Sequence, residues 1–508
     1  MQAGPQHFNV ADYLLDGKDD SRLALLTLQG NYTYGDLRHA SSAIANYLRG
    51  CGAKKGDPVI LASENSFFWV AGYLGTLRAG LTSVPVPPPT SGEGFRFITE
   101  NTGARFAVVQ VGLAASIGAS LNTQNVLVDR PLNLDVPFVS LPALIDDVRI
   151  SQPISQATIP SDLAALMFTS GSTGRPLGVM VSHGNIRANT ESIVEYMELT
   201  NRDRVMVVLP FHYCFGTSLL HTHLRVGATL VLDSRFLYPE KVLQRMRETE
   251  CTGFAGVPSH YQILLEKTSL RKKSFPHLRY VQQAGGHLSH ASVRQLHEAL
   301  PNTKIFVMYG QTEATARLSY VPPEMLEAKP GSIGRGIPGV KLSVENEGKP
   351  VSPGEVGEIV AEGENVAHGY WGDPAETARV FRNGRLYTGD MATVDEDGFI
   401  SIVSRARDFL KCGGKRVSCL QLEQQILECP HLVEVAVIGV PDEVMGEAVK
   451  AFVVRRRDAA ITPEHVRHFC KTRLPFQLVP REIIIVKDLP KSDSGKVLKE
   501  HLRQGWGA

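Results

Sequence analysis

At 508 residues the chain has room for two to four domains of about 100–200 residues each. Hydrophobic residues make up 43% and charged residues 21%, which excludes a disordered or fibrous chain. With 53 Lys+Arg against 52 Asp+Glu the formal net charge is +1, so no global basic field for nucleic acid or an anionic membrane is expected. No apolar run approaches the roughly 18 residues of a spanning helix. The first residues, MQAGPQHFNVADYLLDGKDD, lack a basic n-region and an apolar h-region, and the final GWGA is not a peroxisomal address. Seven cysteines, odd in number and without CxxC spacing, argue against a disulfide scaffold or a zinc site. They suit a reducing, cytoplasmic compartment.

In chain order, Val59–Ala62 reads as a strand, Phe67–Ala79 as a helix and Thr82–Val86 as a strand ended by Pro87–Pro89. Arg105–Gln110, Val205–Leu209, Thr229–Leu232 and Lys304–Met308 read as further buried strands with helices between them. That βαβ rhythm predicts an α/β fold, with parallel sheets covered on both faces. Around Val340–Val360 the pattern changes to short alternating strands with Gly/Pro turns, which predicts a small antiparallel, barrel-like sheet. Strands at Val433–Val440, Ala448–Val454 and Glu482–Val486, with a helix from Pro463 to Arg473, predict a small α+β C-terminal unit. We therefore expect a large N-terminal domain over 1–404 and a mobile C-terminal domain over 405–508. The latter carries a surplus of five basic residues, and the rest a deficit of four.

The most informative stretch is LMFTSGSTGRPLGVMVSH, Leu166–His183. A strand runs into Thr169-Ser170-Gly171-Ser172-Thr173-Gly174. These small residues offer hydroxyls and unblocked amides, a nest suited to phosphate oxygens. It is not the Walker pattern, since no Gly-Lys-Ser/Thr follows at the required spacing. Gly334-Arg335-Gly336-Ile337-Pro338-Gly339 matches GxGxxG, but Pro338 and the strand-like VKLSV after it are not the opening of a helix, so a dinucleotide fingerprint is rejected. Met308–Arg317, MYGQTEATAR, presents Tyr309, Gly310, Gln311, Thr312 and Glu313 at a strand end. An aromatic there can stack on a purine, and a carboxylate can hold Mg²⁺ beside phosphates. Tyr387–Asp390, YTGD, places a carboxylate after a Gly turn. Pro490–Lys499, PKSDSGKVLK, presents Lys496 after a Gly.

In this order the Thr/Ser/Gly loop, YGQTE, YTGD, SRARDFLKCGGKRV at 404–417 and the terminal SGK resemble the adenylate-forming superfamily over nearly the whole chain. That superfamily includes acyl-CoA synthetases, peptide-synthetase adenylation domains and beetle luciferases. The resemblance implies a two-step reaction. ATP and a carboxylate give an acyl-adenylate and pyrophosphate, and a thiol then displaces AMP to give a thioester. It assigns Thr169–Gly174 to phosphate, Gly286 and Tyr309 to adenine, Thr312 to the α-phosphate and Glu313 to Mg²⁺. Asp390 and Arg405 would bind ribose. Lys496 would stabilise the adenylation transition state, and Lys411, Gly413 and Gly414 would face the site in the thioester step. The acceptor would be CoA or a carrier-protein phosphopantetheine.

Three departures stand out. The loop normally continues Pro-Lys-Gly, and here reads Pro176-Leu177-Gly178, without the ammonium expected near the β- and γ-phosphates. The hinge carries Arg407 where Asp or Lys is usual. Cys419 and Gln421 stand where a Pro and a Glu are usual.

Amino-acid-activating relatives place an Asp after the Leu-Pro-Phe-like strand end. Here Leu209–Gly216 reads LPFHYCFG, and no acidic residue occurs between Arg204 and Asp233. A buried ammonium without a partner is strongly disfavoured. We expect an acid without an α-amino group, fatty or aromatic, in a pocket lined by His212, Tyr213 and Phe215 against Gly285 and Gly286. The competing readings are a freestanding amino-acid adenylation enzyme and a weakened ligand-binding homologue, the latter supported only by Leu177.

Overall fold

A computed structural model describes residues 7–88, 92–113, 125–131, 138–146, 156–170, 176–405, 409–412, 415–442, 446–456, 459–491 and 497–505. Two large sheets carry the N-terminal part. One has seven strands and is parallel except at its last pair, where Leu163–Ser170 and Pro176–Ser182 form an antiparallel hairpin. The other has nine strands. Its parallel centre is Thr229–Leu232, Arg204–Val207, Gly253–Gly256, Tyr280–Gln283 and Lys304–Tyr309, in that spatial order. The strands of this centre are almost wholly buried, except Lys304–Tyr309, where half of the residues are, as expected where helices cover both faces.

The strands at Thr82–Val86 and Thr229–Leu232 have the bounds expected from their apolar runs. The helix Phe67–Arg78 begins where Ser66 caps the amide of Trp69 and ends one residue earlier than expected. It is buried nearly all round, between the two sheets. The strands Leu23–Leu26 and Asn31–Thr33, absent from our reading, extend the nine-stranded sheet beside Thr229–Leu232.

From Val340 the chain makes an antiparallel six-stranded sheet that includes Val340–Asn346, Gly357–Gly363, Arg385–Val394 and Ile400–Arg405. Gly334 and Gly336 sit at its approach. Val340–Asn346 is a strand rather than a helix, so the GxGxxG match has no dinucleotide-type helix. A fourth, five-stranded sheet includes Leu432–Asp442, Gly446–Arg455 and Glu482–Val486, and it packs two apolar clusters of its own with helices Cys419–Leu427 and Pro463–Lys471. Among the described residues no helix is long and apolar enough to cross a membrane.

Candidate active site

Parallel strands all end at the same edge, and in open α/β sheets that edge is where ligands bind. Here the ends of Arg204–Val207, Gly253–Gly256, Tyr280–Gln283 and Lys304–Tyr309 deliver the LPFHYCFG, Val257–His260, Ala284–Gly286 and GQTEATAR segments to one place.

The turn after Tyr309 depends on its glycine. A Cβ on Gly310 would lie 2.0 Å from the Ala316 carbonyl oxygen, so no other residue fits. Thr312–Ala314 then forms one 3₁₀ turn, and Thr315 follows with φ +67°. A β-branched residue in that region is strained. The strain is held by side chains. The Thr315 hydroxyl donates to the Asn365 carbonyl at 2.7 Å, and the buried Asn365 amide donates to the carbonyls of Ala314 and Arg317 at 3.3 and 2.9 Å. Asn189 adds a further bond to the Arg317 carbonyl at 3.0 Å.

Several expected residues meet through direct bonds. Tyr309 Oη donates to Asp390 Oδ2 at 2.6 Å. Asp390 lies directly across the antiparallel pair from Arg405, so register brings the two expected ribose residues together. The Gly turn expected before it is instead an irregularity within the strand Arg385–Val394: Gly389 has φ +73°, and the pairing with Gly357–Gly363 shifts register there. Thr312 Oγ1 donates to Cys214 Sγ at 3.4 Å, which joins the expected acid segment to the expected phosphate segment. His212 is buried with its ring 4.3 Å from that of Tyr213, and its Nε2 has no partner. Burial pushes the His212 imidazole down to about 4, so it is neutral at physiological pH. Phe215 is nearly buried in the first turn of the helix Cys214–Val226. Gly285, at φ +85°, and Gly286 turn away from the strand Tyr280–Gln283, and the Gln283 amide closes that turn on the Gly286 carbonyl at 2.7 Å. Gln311 carries a buried Nε2 without a partner.

The hairpin that bears Thr169 and Ser170 is held against Glu313 by a residue our reading missed. Tyr370 bridges to Val179 in the hairpin's second strand, and its hydroxyl donates to Glu313 Oε1 at 2.9 Å. Burial and then the Glu313 carboxylate push that phenol well up. Only the aromatic pair after Gly369, in GYWGD, marked Tyr370 in the sequence. Leu177 lies opposite Thr169 and packs on the main core, and Thr169 Oγ1 donates to the Leu177 carbonyl at 3.5 Å. Gly171, Ser172, Thr173, Gly174, Arg407, Gly413, Gly414 and Lys496 lie outside the described residues. Lys411 is on the strand Phe409–Cys412, paired with Arg416.

Among the described residues no three His, Cys, Asp or Glu side chains cluster as a metal cage. A Mg²⁺ ion would fit here only as a guest of one carboxylate, Glu313, and bound phosphates, the usual manner for Mg²⁺. A cleft of about 1500 Å³ lies elsewhere. It separates the helix Pro258–Lys267 from the C-terminal sheet and its helix Pro463–Lys471.

Comparison with known proteins fits this geometry. The family described as "AMP-binding enzyme" matches residues 17–371, and "AMP-binding enzyme C-terminal domain" matches 421–496. A feruloyl-CoA synthase of Amycolatopsis sp is 32% identical over 490 residues, covering 94% of each chain. A long-chain-fatty-acid–CoA ligase of Escherichia coli O157:H7 is 30% identical over 507 residues, covering 93% of this chain and 89% of the relative. The crystal structure of ATP-bound MatB from Rhodopseudomonas palustris superposes with a TM-score of 0.89 at 30% identity and 99% coverage of both chains.

Proposed function

We propose a specific chemistry for this chain, which belongs to the AMP-binding enzyme family of the adenylate-forming superfamily and is an AMP-forming acid–thiol ligase. It activates a carboxylic acid with ATP to an acyl-adenylate and then transfers the acyl group to a thiol. The thiol we propose is that of CoA, as in the names of the relatives. A carrier-protein phosphopantetheine presents the same group and serves as the comparison acceptor.

One observation carries the assignment of the site: the 3.4 Å contact of Thr312 with Cys214. A carboxylate can attack an α-phosphate only where the acid segment and the phosphate segment adjoin, and these two residues make that junction. In this reading Thr312 and the Thr169–Gly174 loop hold phosphate, Tyr309, Gly310, Gln311 and Gly286 frame adenine, and Asp390 with Arg405 takes the ribose hydroxyls. His212, Tyr213, Phe215 and Gly285 surround the acid. Glu313 would hold Mg²⁺, which when bound neutralises phosphate charge. The chain's own task is to align the acid with the phosphate and stabilise the developing charge. Lys496 supplies that charge from the C-terminal domain, for which we set the boundary at 404/405. Lys411, Gly413 and Gly414 face the thiol in the second step. With none of its seven cysteines in a disulfide, the chain suits the reducing cytoplasm.

The test is AMP release over a panel of fatty, aryl and amino acids, with Mg²⁺ and with CoA or a phosphopantetheinyl carrier. Acid- and thiol-dependent AMP is expected. No AMP from any acid, also with Leu177→Lys, would overturn the reading.

A further inference from the structure

Arg317 ends the MYGQTEATAR segment and is 1% exposed. Its guanidinium lies over the Phe215 ring, 4.1 Å from the centroid. Its hydrogen-bond partners are poor. Nε points to Met308 Sδ at 3.3 Å, and Nη2 reaches Gln282 Oε1 only at 3.5 Å. The acidic groups that face it, among the described residues, are the Tyr196 phenol, which also accepts a hydrogen bond from it, and the Cys214 thiol. Neither is a carboxylate, and among the described residues no carboxylate answers this charge. The contrast within the chain is direct. Arg78, also buried, reaches Asp12 at 3.1 Å and the Ser42 hydroxyl at 2.7 Å. A buried guanidinium without a counter-ion is costly, and its cost is recovered when an anion arrives.

A second side chain points the same way. Gln282, 1% exposed on the neighbouring strand, accepts from Arg317 through Oε1 and leaves Nε2 with no acceptor. Guanidinium and amide therefore stand side by side, both with donors to spare. They adjoin the junction described above through Arg317's own contacts: Phe215, under its guanidinium, follows Cys214, and Met308, which meets its Nε, precedes Tyr309.

We propose that Arg317 and Gln282 receive a second carboxylate, carried at the far end of the acid that is activated. This rests on the activity proposed above and narrows its substrate class to dicarboxylic acids, with one carboxyl at Thr312 and the other at Arg317. The spacer between them runs along Phe215 and is a short aliphatic chain or a ring.

The experiment compares straight-chain monocarboxylic acids with α,ω-dicarboxylic acids of equal length, and benzoate and 3-phenylpropanoate with their ring-carboxylated counterparts. AMP release is read as kcat/KM. The wild type should favour the diacid of fitting length over its monoacid by about ten- to a hundredfold, the worth of a charge-assisted pair. Arg317→Met should collapse that ratio, Arg317→Lys should keep part of it, and Gln282→Leu should lower it severalfold. A wild type that uses monoacids as well as diacids, or an Arg317→Met ratio equal to the wild type's, would overturn the proposal while leaving the ligase activity standing. If no acid yields AMP, the activity fails separately. The rise in Tm with diacid alone, without ATP, then tests the donor pair: a rise lost in Arg317→Met supports it, and no rise with any diacid refutes it.

Discussion

The Tyr309 hydroxyl donates a 2.6 Å hydrogen bond to the Asp390 carboxylate, joining the YGQTE and YTGD segments across 81 residues of chain. A bond to a charged acceptor is worth about 1.5–3 kcal/mol. If Asp390 takes ribose, Tyr309 fixes its orientation. Tyr309→Phe keeps the ring and removes the bond, so KM for ATP should rise by about tenfold. Tyr309→Ala, which also removes the ring, should cost more. Steady-state kinetics in ATP decides; an unchanged KM in Tyr309→Phe would mean that Asp390 is held by other groups.

The absent lysine of the phosphate loop has a structural counterpart. Leu177 is partly buried on the main core, opposite Thr169. Leu177→Lys should strengthen ATP use by up to about ten- to a hundredfold, if a charge-assisted bond to phosphate forms. It should also lower stability, by up to about 1–2 kcal/mol, as apolar contact is lost. The pair of measurements, KM for ATP and the urea midpoint, separates the effects. A loss of stability with no gain in ATP use would show that the site has compensated elsewhere.

An acid should outcompete its α-amino analogue by at least about a hundredfold, since an unpaired ammonium in the pocket costs several kcal/mol. The first carboxylate after the acid segment is engaged elsewhere: Asp233 receives Arg235 through two bonds, at 2.9 and 2.7 Å, and its side chain is fully buried. Competition between paired acids reads the ratio directly, and equal turnover would sink the expectation.

How far the sequence was legible depends on the range of the interaction. The strands at Thr82–Val86, Thr229–Leu232 and Glu482–Val486 were readable to the residue, because each is a short stretch dominated by apolar or β-branched residues. Leu23–Leu26 was not, since its place is set by pairing with a strand some two hundred positions away, and Asn31–Thr33 joins the sheet only as its antiparallel partner. In the candidate site, Tyr309, Thr312 and Asp390 each stood within a motif of its own. Tyr370 carried no comparable signal, because its bond to Glu313 arises only when the GYWGD segment pairs with the hairpin strand at Val179. Arg317 stood in plain view, yet its meaning is a missing counter-ion, which only packing can reveal.

Stability should fall as pH drops below about 6.5. Burial pushes His183, His212 and His223 down to about 4, His221 to about 3, and His260, beside Lys491, to about 4. In the unfolded chain they take up protons near 6.5. The sign follows: the stabilisation is complete above 6.5 and is lost as pH falls toward the folded values. Each histidine contributes a slope of about 1.4 kcal/mol per pH unit in that window. Urea unfolding at pH 7, 6 and 5 measures it, and a flat profile would mean that the histidines are hydrated or protonated in the folded state.

The last expectation concerns how two half-reactions share one site. The C-terminal sheet meets the N-terminal part through polar contacts: Gln262 donates to the Val433 carbonyl at 3.1 Å, Arg456 pairs with Glu266 at 3.1 Å, and Gln424 meets His287 at 3.3 Å. An exposed ion pair is worth about 0–1 kcal/mol, so this arrangement can be left at small cost. Lys491 lies beside His260, at the start of the helix Pro258–Lys267, one of the segments at the strand-end edge. In sequence, Lys411 stands near the start of the same unit and Lys496 near its end. If Lys496 adenylates and Lys411–Gly414 faces the thiol, as proposed above, the thiol can enter only when the lysine withdraws, and the unit turns between the steps. Lys496→Ala should slow adenylation by on the order of a hundred- to a thousandfold and largely spare thioester formation from a presynthesised acyl-adenylate. Arg407→Pro fixes φ at the pivot and should impair one half-reaction far more than the other. Arg456→Ala, which loosens the observed arrangement, should change either rate by no more than a few-fold. The half-reactions are assayed separately, by pyrophosphate release and by acyl transfer to CoA. Equal losses in both for Lys496→Ala would make the lysine's role structural, and a single fixed arrangement would then have to serve both steps.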